Sequence, residues 1–528
     1  MSNRRYKQGL DRAQEMLLPP RVDEYVTDDN PIRAIDAYVD SLDLAALGFL
    51  HTSGGLTPGQ PAYPPGALLK LYLYGYLHRI RSSRRLEKEP QRNLEVIWLL
   101  RCLRPSYKTI AEFRKNNLKA LKEVNKDFVQ LCKELQLYGD ELVGIDGSHF
   151  RGRVNKRNIY TEKRLTKALS RLDEQIETYL EELEKADAEE VEIEADDQSL
   201  EEKLKVLQER QRKHQERLEK LTESNETQLA EVDEDARLLR KNGQTVAGYN
   251  VQVAVEAKHN LLVACEVTNE GNDERQLEPM AREAQEVLGV ESLEVVADAG
   301  YFNVEQIMAC EEAGITPYVP EPNKTNQARL QGRFAREDFH YQAELDSYQC
   351  PAGQQLTRKR TFERNGKLMF IYASKASVCA RCALKAQCLP LKTPYRQVSR
   401  WEHEHIVEAH RVRMAEKGGA MMQKRAALAE HPFGTLKQWC GWTHFQLRGM
   451  EKVAAEMDLL MLCYNFKRVL SILGVDALRA YCFERAKKGM PNKRLESQNH
   501  VAEAFLSFFS RFSKGFLYQT VPCTICLR

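Results

Sequence analysis

The chemistry open to this chain rests on three acids, Asp146, Asp298 and Glu430. Asp146 ends an apolar run, Glu141-Leu-Val-Gly-Ile, and a second run, Leu293-Glu-Val-Val-Ala, ends the same way on Asp298. Each run reads as a buried strand that delivers one carboxylate to the end of a sheet. Glu430 lies far downstream in a helical pattern, AALAEHPFGTLK. Carboxylate oxygens are hard ligands, so two strand-end aspartates and a helix glutamate can hold a pair of divalent cations and leave positions open for phosphate and water. Two Mg²⁺ ions roughly 4 Å apart, with Mn²⁺ as a substitute, activate a water and stabilise a leaving oxygen, and a 3′-hydroxyl in place of the water joins strands. In this scheme Asp146 bridges the ions, Asp298 holds one and Glu430 the other. Taken singly, Asp146 before Gly147 reads as a turn residue, Asp298 as a helix cap and Glu430 as a solvated helix residue. Glu456, in a later helix, is the reserve for the third position.

A second group able to do chemistry is Cys350, Cys379, Cys382 and Cys388. A CxxC pair, a third Cys six residues on and a distant fourth have the donors for a tetrahedral Zn²⁺ site. The spacing is irregular beside common zinc fingers, and four free thiols are the other reading. A further CxxC, Cys523 to Cys526, has no neighbouring ligands in sequence.

The elements that must position these groups can be read in outline. At 528 residues the chain has room for two to four folded units. Its formal net charge of +2 conceals an uneven distribution. Residues 61–120 hold 13 Lys and Arg against 4 acids, whereas residues 181–202 hold 12 acids against one Lys. The first stretch can face phosphate and the second cannot. No run approaches membrane-spanning length, and the N-terminus lacks the apolar stretch of a signal peptide. Thirteen cysteines are too sparse for a disulfide scaffold, so a reducing cytoplasm is expected.

From Pro31 to about Gln136 the pattern is helical, with Pro64-Pro65 starting an almost wholly apolar helix through Leu77. Two short helical patterns then flank Arg104-Pro105-Ser106, with Ser106 or Thr109 as cap, a layout compatible with a helix-turn-helix. Arg81, Arg84, Arg85, Lys108, Arg114 and Lys115 are its candidate phosphate contacts, with Tyr107 and Asn116 available for bases. The alternative is a solvated face on a helical bundle. After Tyr160, the residues Leu165, Leu169, Leu172, Ile176, Tyr179 and Leu183, and again Leu200, Leu204, Leu207, Gln211, His214, Leu218 and Leu221, repeat at spacings of three and four. These predict an antiparallel coiled-coil hairpin across an acidic link. Strand signals return in Gly248–Ala257 and Leu261–Val267, joined by a turn at His259-Asn260. A helix to Val287, the Asp298 strand, a helix over Asn303–Ala313 and a last strand at Ile315 complete the series. Glu404 to Glu430 is helical with a weak point at Gly418-Gly419 and interruptions at Pro432 and Gly434.

GIDGSHF, GYNVQVAVE, EVTNEGNDERQLEPM, VVADAGYF, AEHPFGTLKQ and FQLRGMEKVAAEMDLLMLCYNFKR together resemble bacterial insertion-sequence transposases of the DDE class, over roughly Asp29 to Leu473. The resemblance implies an α/β chain with a ribonuclease-H-like mixed sheet, a helical N-terminal domain, a coiled-coil hairpin insertion and a small Cys-rich insertion. The order strand, hairpin, helix, strand, helix, strand agrees with such a sheet. The expected division is 1–138 as a helical DNA-binding domain, 139–319 as the first part of the core with the coiled coil at 158–235, 320–400 as the cysteine insert, 401–475 as the second part of the core, and 476–528 as a tail. The resemblance also implies Mg²⁺ dependence, terminal inverted repeats and target DNA as substrates, and a paired-end complex, here expected as a homodimer. The alternatives are a catalytically inactive DNA-binding relative and a nuclease that never joins strands. In this class the glutamate often follows a pattern of Tyr, two residues, Arg, three residues, Glu, six residues, Lys. Glu430 and Lys437 match its last two members, but Gln423 and Ala426 stand where Tyr and Arg are expected. Lys437 is the candidate phosphate contact, and Arg425, one place off, the candidate replacement for the arginine.

Overall fold

The computed structural model describes residues 21–52, 61–139, 141–188, 197–224, 226–241, 243–322, 327–364 and 366–488. The N-terminal region is helical, as its periodicity requires. Helix Pro31–Asp40 starts where Asn30 accepts a hydrogen bond from the Ile32 amide, and Pro31 fills the first position, where no N–H is needed. Helix Pro65–Leu77 starts on Pro65 in the same way and is buried from Leu68 to Tyr76. Lys70, itself buried, reaches Asp36 and Asp40 at 2.5 and 2.6 Å and locks these two helices together. Ser106 caps helix Tyr107–Asn116 by accepting from the Thr109 amide. Helix Leu118–Glu134 lies against the long C-terminal helix Met450–Leu473. Tyr38, Phe128 and Phe466 meet there with ring centroids 5.1 to 6.0 Å apart. One apolar core therefore runs without a break from the N-terminal helices into the sheet.

Strand β1 (Leu142–Arg151) leads into a short ribbon, β2 (Ile159–Tyr160) with β3 (Leu229–Ala230), from which the coiled-coil hairpin rises. Its helices are Glu162–Ala188 and Asp197–Glu223, and the predicted seam residues Leu165, Leu169, Leu172, Ile176, Tyr179, Leu204, Leu207, Gln211, His214, Leu218 and Leu221 are drawn away from solvent, while the side chains of Leu183 and Leu200 lie outside what is described. Most of the acidic link, residues 189–196, lies outside the described residues.

The main sheet holds β1, β4 (Arg237–Lys241), β5 (Gln244–Glu256), β6 (Leu262–Thr268), β7 (Leu293–Val296) and β8 (Ile315–Tyr318). β1, β5 and β6 pair antiparallel, with the β5–β6 turn at Asn260 in the left-handed region (φ 54°), while β7 joins β1 in parallel and β8 joins β7 in parallel. The spatial order β6-β5-β1-β7-β8 with this mix of directions is a ribonuclease-H-like core. Strand β4, which pairs with the first residues of β5, is an addition the sequence reading did not include.

Two expectations are corrected. Gly418-Gly419 does not weaken the helix carrying Glu430, which runs unbroken from Glu404 to Gly434 with Pro432 inside its last turn. Tertiary contacts override the local propensity: His410 Nε2 meets the Val319 carbonyl at 2.8 Å, Arg413 pairs with Glu311 at 2.6 Å, and Leu428 packs on Gly144 of β1. A π-type turn, Thr435–Trp439, follows. The cysteine insert, to which the sequence reading gave no strands, forms a second antiparallel sheet of β9 (His340–Gln342), β10 (Ser347–Gln349), β11 (Gln355–Arg364), β12 (Lys367–Ala373) and β13 (Gln397–Trp401). Phe339, Tyr348, Leu356, Tyr372 and Val398 give it a small core of its own. Among the described residues no helix is long and apolar enough to cross a membrane.

Helix Met450–Leu473 buries Asp458, whose carboxyl is pushed up to about 6 mainly by loss of solvent. A raised acid pKa means that the fold binds the proton more tightly than the unfolded chain does. The contribution is therefore fully present below the unfolded value of 3.8 and is lost as pH rises through about 6. Asp458→Asn, which keeps an acceptor for Asn125, is expected to match the parent near pH 4. At pH 7.5 it should unfold at higher temperature, by an amount equivalent to about 1–3 kcal/mol. Thermal midpoints at the two pH values check this.

Candidate active site

Asp146 sits in the middle of β1, opposite Val253 of β5, with Val143 and Ile145 fully buried beside it. Asp146 does not end its strand as the sequence reading expected, because β1 continues to Arg151 in its pairing with β5. Gly144 of β1 is level with Val296 of β7, so Asp146 in mid-β1 and Asp298 just past the end of β7 stand side by side, each two residues further on. Asp298 also starts the turn Ala299–Tyr301, its Oδ1 accepting from the Gly300 amide at 2.8 Å. The cap expected as an alternative to a functional role is thus real, and it fixes the carboxylate without consuming its second oxygen. Arg425, from helix Glu404–Gly434, places its guanidinium between the two acids, 3.2 Å from Asp146 Oδ1 and 3.5 Å from Asp298 Oδ2. Its Nε is buried with no hydrogen-bond partner.

Four further residues, Asp273, Asn250, Gln252 and Tyr301, belong to this site and were not singled out from sequence. Asp273, buried, accepts from Asn250 Nδ2 at 2.8 Å and Gln252 Nε2 at 2.7 Å. Gln252 in turn accepts from the Tyr301 hydroxyl. These groups crowd over Gly147, where a Cβ would lie 2.4 Å from Gln252 Nε2, 2.8 Å from Asp273 Oδ1 and 2.9 Å from the Tyr301 oxygen. The residue after Asp146 must therefore be glycine for β1 to approach so closely. Burial raises the Tyr301 hydroxyl well above its ordinary value, and the charges of Asp273, Asp146 and Asp298 raise it further, so this corner is strongly negative. The available signal was the pair Asn250 and Gln252, polar residues on an otherwise apolar strand that have to find partners inside.

Lys437 comes to the same strand. Its Nζ donates to Ser148 Oγ at 2.6 Å and to the His149 carbonyl at 2.8 Å, and it lies 4.5 Å over the Phe150 ring. Glu430 is on the helix that brings Arg425 and Leu428 to β1, and its own side chain lies outside what is described. Glu456 is fully buried and accepts from the amides of Gln446 and Leu447, with Arg81 3.8 Å away, so the reserve acid serves as a structural anchor for that turn.

The carboxylates offer the hard oxygens a divalent cation needs, yet among the described residues no three His, Cys, Asp or Glu stand in a metal-holding arrangement. The guanidinium already occupies the charge-balancing position. The four insert cysteines converge on one cavity of about 30 Å³, and the Cys388 thiol is pushed up by burial and by the neighbouring thiols. They too fall short of a closed ligand set as they stand.

Of the N-terminal cations, Arg84, Arg85, Lys108 and Lys115 are exposed, with Arg84 5.5 Å over the Tyr107 ring. Arg114 and Arg81 are not surface groups, and the expectation that they contact phosphate is corrected. Arg114 is buried, bonds the Tyr76 hydroxyl at 3.2 Å and lies over Tyr72, while Arg81 donates to the His444 carbonyl at 2.8 Å. Both offset the buried charge of Glu456.

Because Arg425 separates two like charges, Arg425→Gln is expected to lower stability in metal-free buffer by about 1–2 kcal/mol, the pair being partly exposed. Adding Asp146→Asn should restore most of the loss. Thermal unfolding of the two single variants and the double variant gives the coupling directly.

Comparison with known proteins agrees with this arrangement. Residues 220–466 match the family described as transposase DDE domain, and residues 20–116 match that described as transposase domain (DUF772). Asp298 and Glu430 lie inside the first match, while Asp146 precedes it. No curated protein matches the chain. A solved structure, described as a cryo-EM structure of piggyBac transposase synaptic complex with hairpin DNA, aligns over 96% of this chain and 86% of that one, at 10% identity and a TM-score of 0.30. That alignment is too loose to carry an argument. The two domain matches, in one chain with a ribonuclease-H-like core between paired aspartates and a long helix, identify this protein as a member of the insertion-sequence DDE transposases.

Proposed function

We propose that the protein binds the terminal inverted repeats of its own element and cleaves and transfers DNA strands with Asp146, Asp298 and Glu430 as the ligands of two Mg²⁺ ions. The observation that carries this reading is that Asp146 of β1 and Asp298, just past the neighbouring parallel strand β7, stand at the same height with a single guanidinium between them. Bound there, divalent cations supply the charge that activates a water or 3′-hydroxyl and stabilises the leaving oxygen. The protein's own groups do the positioning. Asp298 is held by its turn, Asp146 by the β-ladder, and Lys437 beside Ser148 stands where a phosphate oxygen approaching Asp146 meets a fixed positive charge. Arg425, whose buried Nε has no hydrogen-bond partner, would be a second cation beside the aspartates for that phosphate.

Residues 1–138 act as the DNA-binding unit in this reading, with Arg84, Arg85, Lys108 and Lys115 as phosphate contacts. Two copies pair the element's ends as a homodimer, working on the bacterial nucleoid in the cytoplasm. Cys350, Cys379, Cys382 and Cys388 hold Zn²⁺, which closes the small cavity they line and ties β10 to the segment before β13.

Purified protein is expected to cut an end-containing duplex only with Mg²⁺ or Mn²⁺, and Asp146→Asn or Asp298→Asn should lower the rate at least about 10³-fold while leaving the fold intact. Cation-independent or absent cleavage by the parent overturns the reading in favour of an inactive DNA-binding relative. Cleavage without any joined product from a pre-cut end in Mn²⁺ marks a nuclease instead. For the cysteines, metal analysis should return about one zinc per chain. A value near zero leaves four free thiols.

A further inference from the structure

The second sheet carries a charge pattern that the catalytic reading leaves unused. Residues 346–400 hold eleven Lys and Arg against two acids, Asp346 and Glu363, in a chain whose net charge is only +2. Two of the eleven are structural: Arg400 is buried against Glu408 and the Tyr341 ring, and Arg396 bonds the carbonyls of Cys388 and Phe334. The others concentrate on β11, where Arg358, Lys359, Arg360 and Arg364 are all exposed. Strand β10 pairs only with Gln355–Thr357, so β11 beyond Thr357 has no partner from β10, and the register shift between Arg358 and Arg360 bends it there. Charged residues on an edge strand commonly serve to block edge-to-edge aggregation, for which one or two lysines suffice. Four cations in seven residues exceed that need. Arg358 carries its guanidinium 3.8 Å over the Phe370 ring and 3.6 Å from Asp346, and the Arg360 guanidinium lies 5.5 Å over Phe362, so the charge presented to water rests mainly on Lys359, Arg360 and Arg364.

Position adds a second argument. At the end of the β11–β12 hairpin, Lys367 Nζ is 2.9 Å from Glu305, in the first turn of the helix that follows the Asp298 turn. The basic strand is thereby attached beside the carboxylate end of the main sheet rather than at its far side.

We infer that the outer stretch of β11, Arg358–Arg364, is a phosphate-contacting surface for duplex DNA, accounting for part of the affinity independently of base sequence. The inference rests on the transposase reading for its ligand, and no base-reading group is assigned to it. Each phosphate neutralised by a protein cation adds about 0.9 to the slope of log K against log salt. Lys359→Gln/Arg360→Gln/Arg364→Gln leaves Arg358 and its ring contact in place. In Ca²⁺, with fluorescence anisotropy read across a KCl series, this variant should lose about 2–3 from the slope. It should also bind about ten-fold or more weakly near 0.15 M salt, equally for an end-containing duplex and an unrelated one of the same length. The charge-keeping variant Lys359→Arg/Arg360→Lys/Arg364→Lys should retain the parental slope, which separates loss of charge from loss of fold. An unchanged slope in the glutamine variant overturns the inference, and so does a loss confined to the end-containing duplex. Absence of cation-dependent cleavage by the parent, together with a reduced slope, would instead sink the catalytic reading and leave this surface standing.

Discussion

Like charges side by side on two adjacent strands repel, and the architecture around this site is arranged to hold them there nonetheless. Asp146 of β1 and Asp298, just past β7, stand at the same height, and Asp273 adds a third carboxylate within the same corner. In low dielectric that set could not stay ionised without compensation. The compensation is local and specific: one guanidinium spans Asp146 and Asp298, two side-chain amides hold Asp273, and a backbone amide holds Asp298. These donors come from three separate places, β5, the turn after β7 and helix Glu404–Gly434, and the acids from others, so the site exists only when β1, β5, β7 and that helix are all in place.

The same logic governs the N-terminal helices. Glu456, fully buried in the C-terminal helix, needs positive charge and amide donors, and it receives them from Arg81, Arg114 and the turn at Gln446-Leu447. Two arginines from a basic stretch are thereby drawn inward, while Arg84, Arg85, Lys108 and Lys115 remain exposed. An apolar core shared between this region and the sheet then couples any DNA held by the helices mechanically to the strand that carries Asp146.

The insert between β8 and helix Glu404–Gly434 is a sheet in its own right, built on aromatic residues spaced widely enough in sequence to escape notice as strands. Tyr341, Tyr348 and Tyr372 pack with centroids 5.2 to 5.9 Å apart, and Arg400 lies over the Tyr341 ring. Such a core is small, and the cysteine cavity on its flank is where a bound ion would add most to its cohesion.

The amino-acid sequence by itself determined the period-two and period-3.6 segments: the strand carrying Asp146, the strand leading to Asp298, the β5–β6 hairpin, the coiled-coil seam and a helix cap at Ser106 or Thr109. These follow from local propensity and from the need of each apolar face to be buried, which neighbouring residues already encode. Only the tertiary structure decided which polar groups would meet. Arg425 reads in sequence as a phosphate contact one place from a motif and Arg114 as a DNA contact, and Asp273 carries no site signal of its own. Their roles were set by long-range pairing of charges and amides across elements far apart in the chain, and a pairing energy of that kind leaves no periodic trace in the residues that make it.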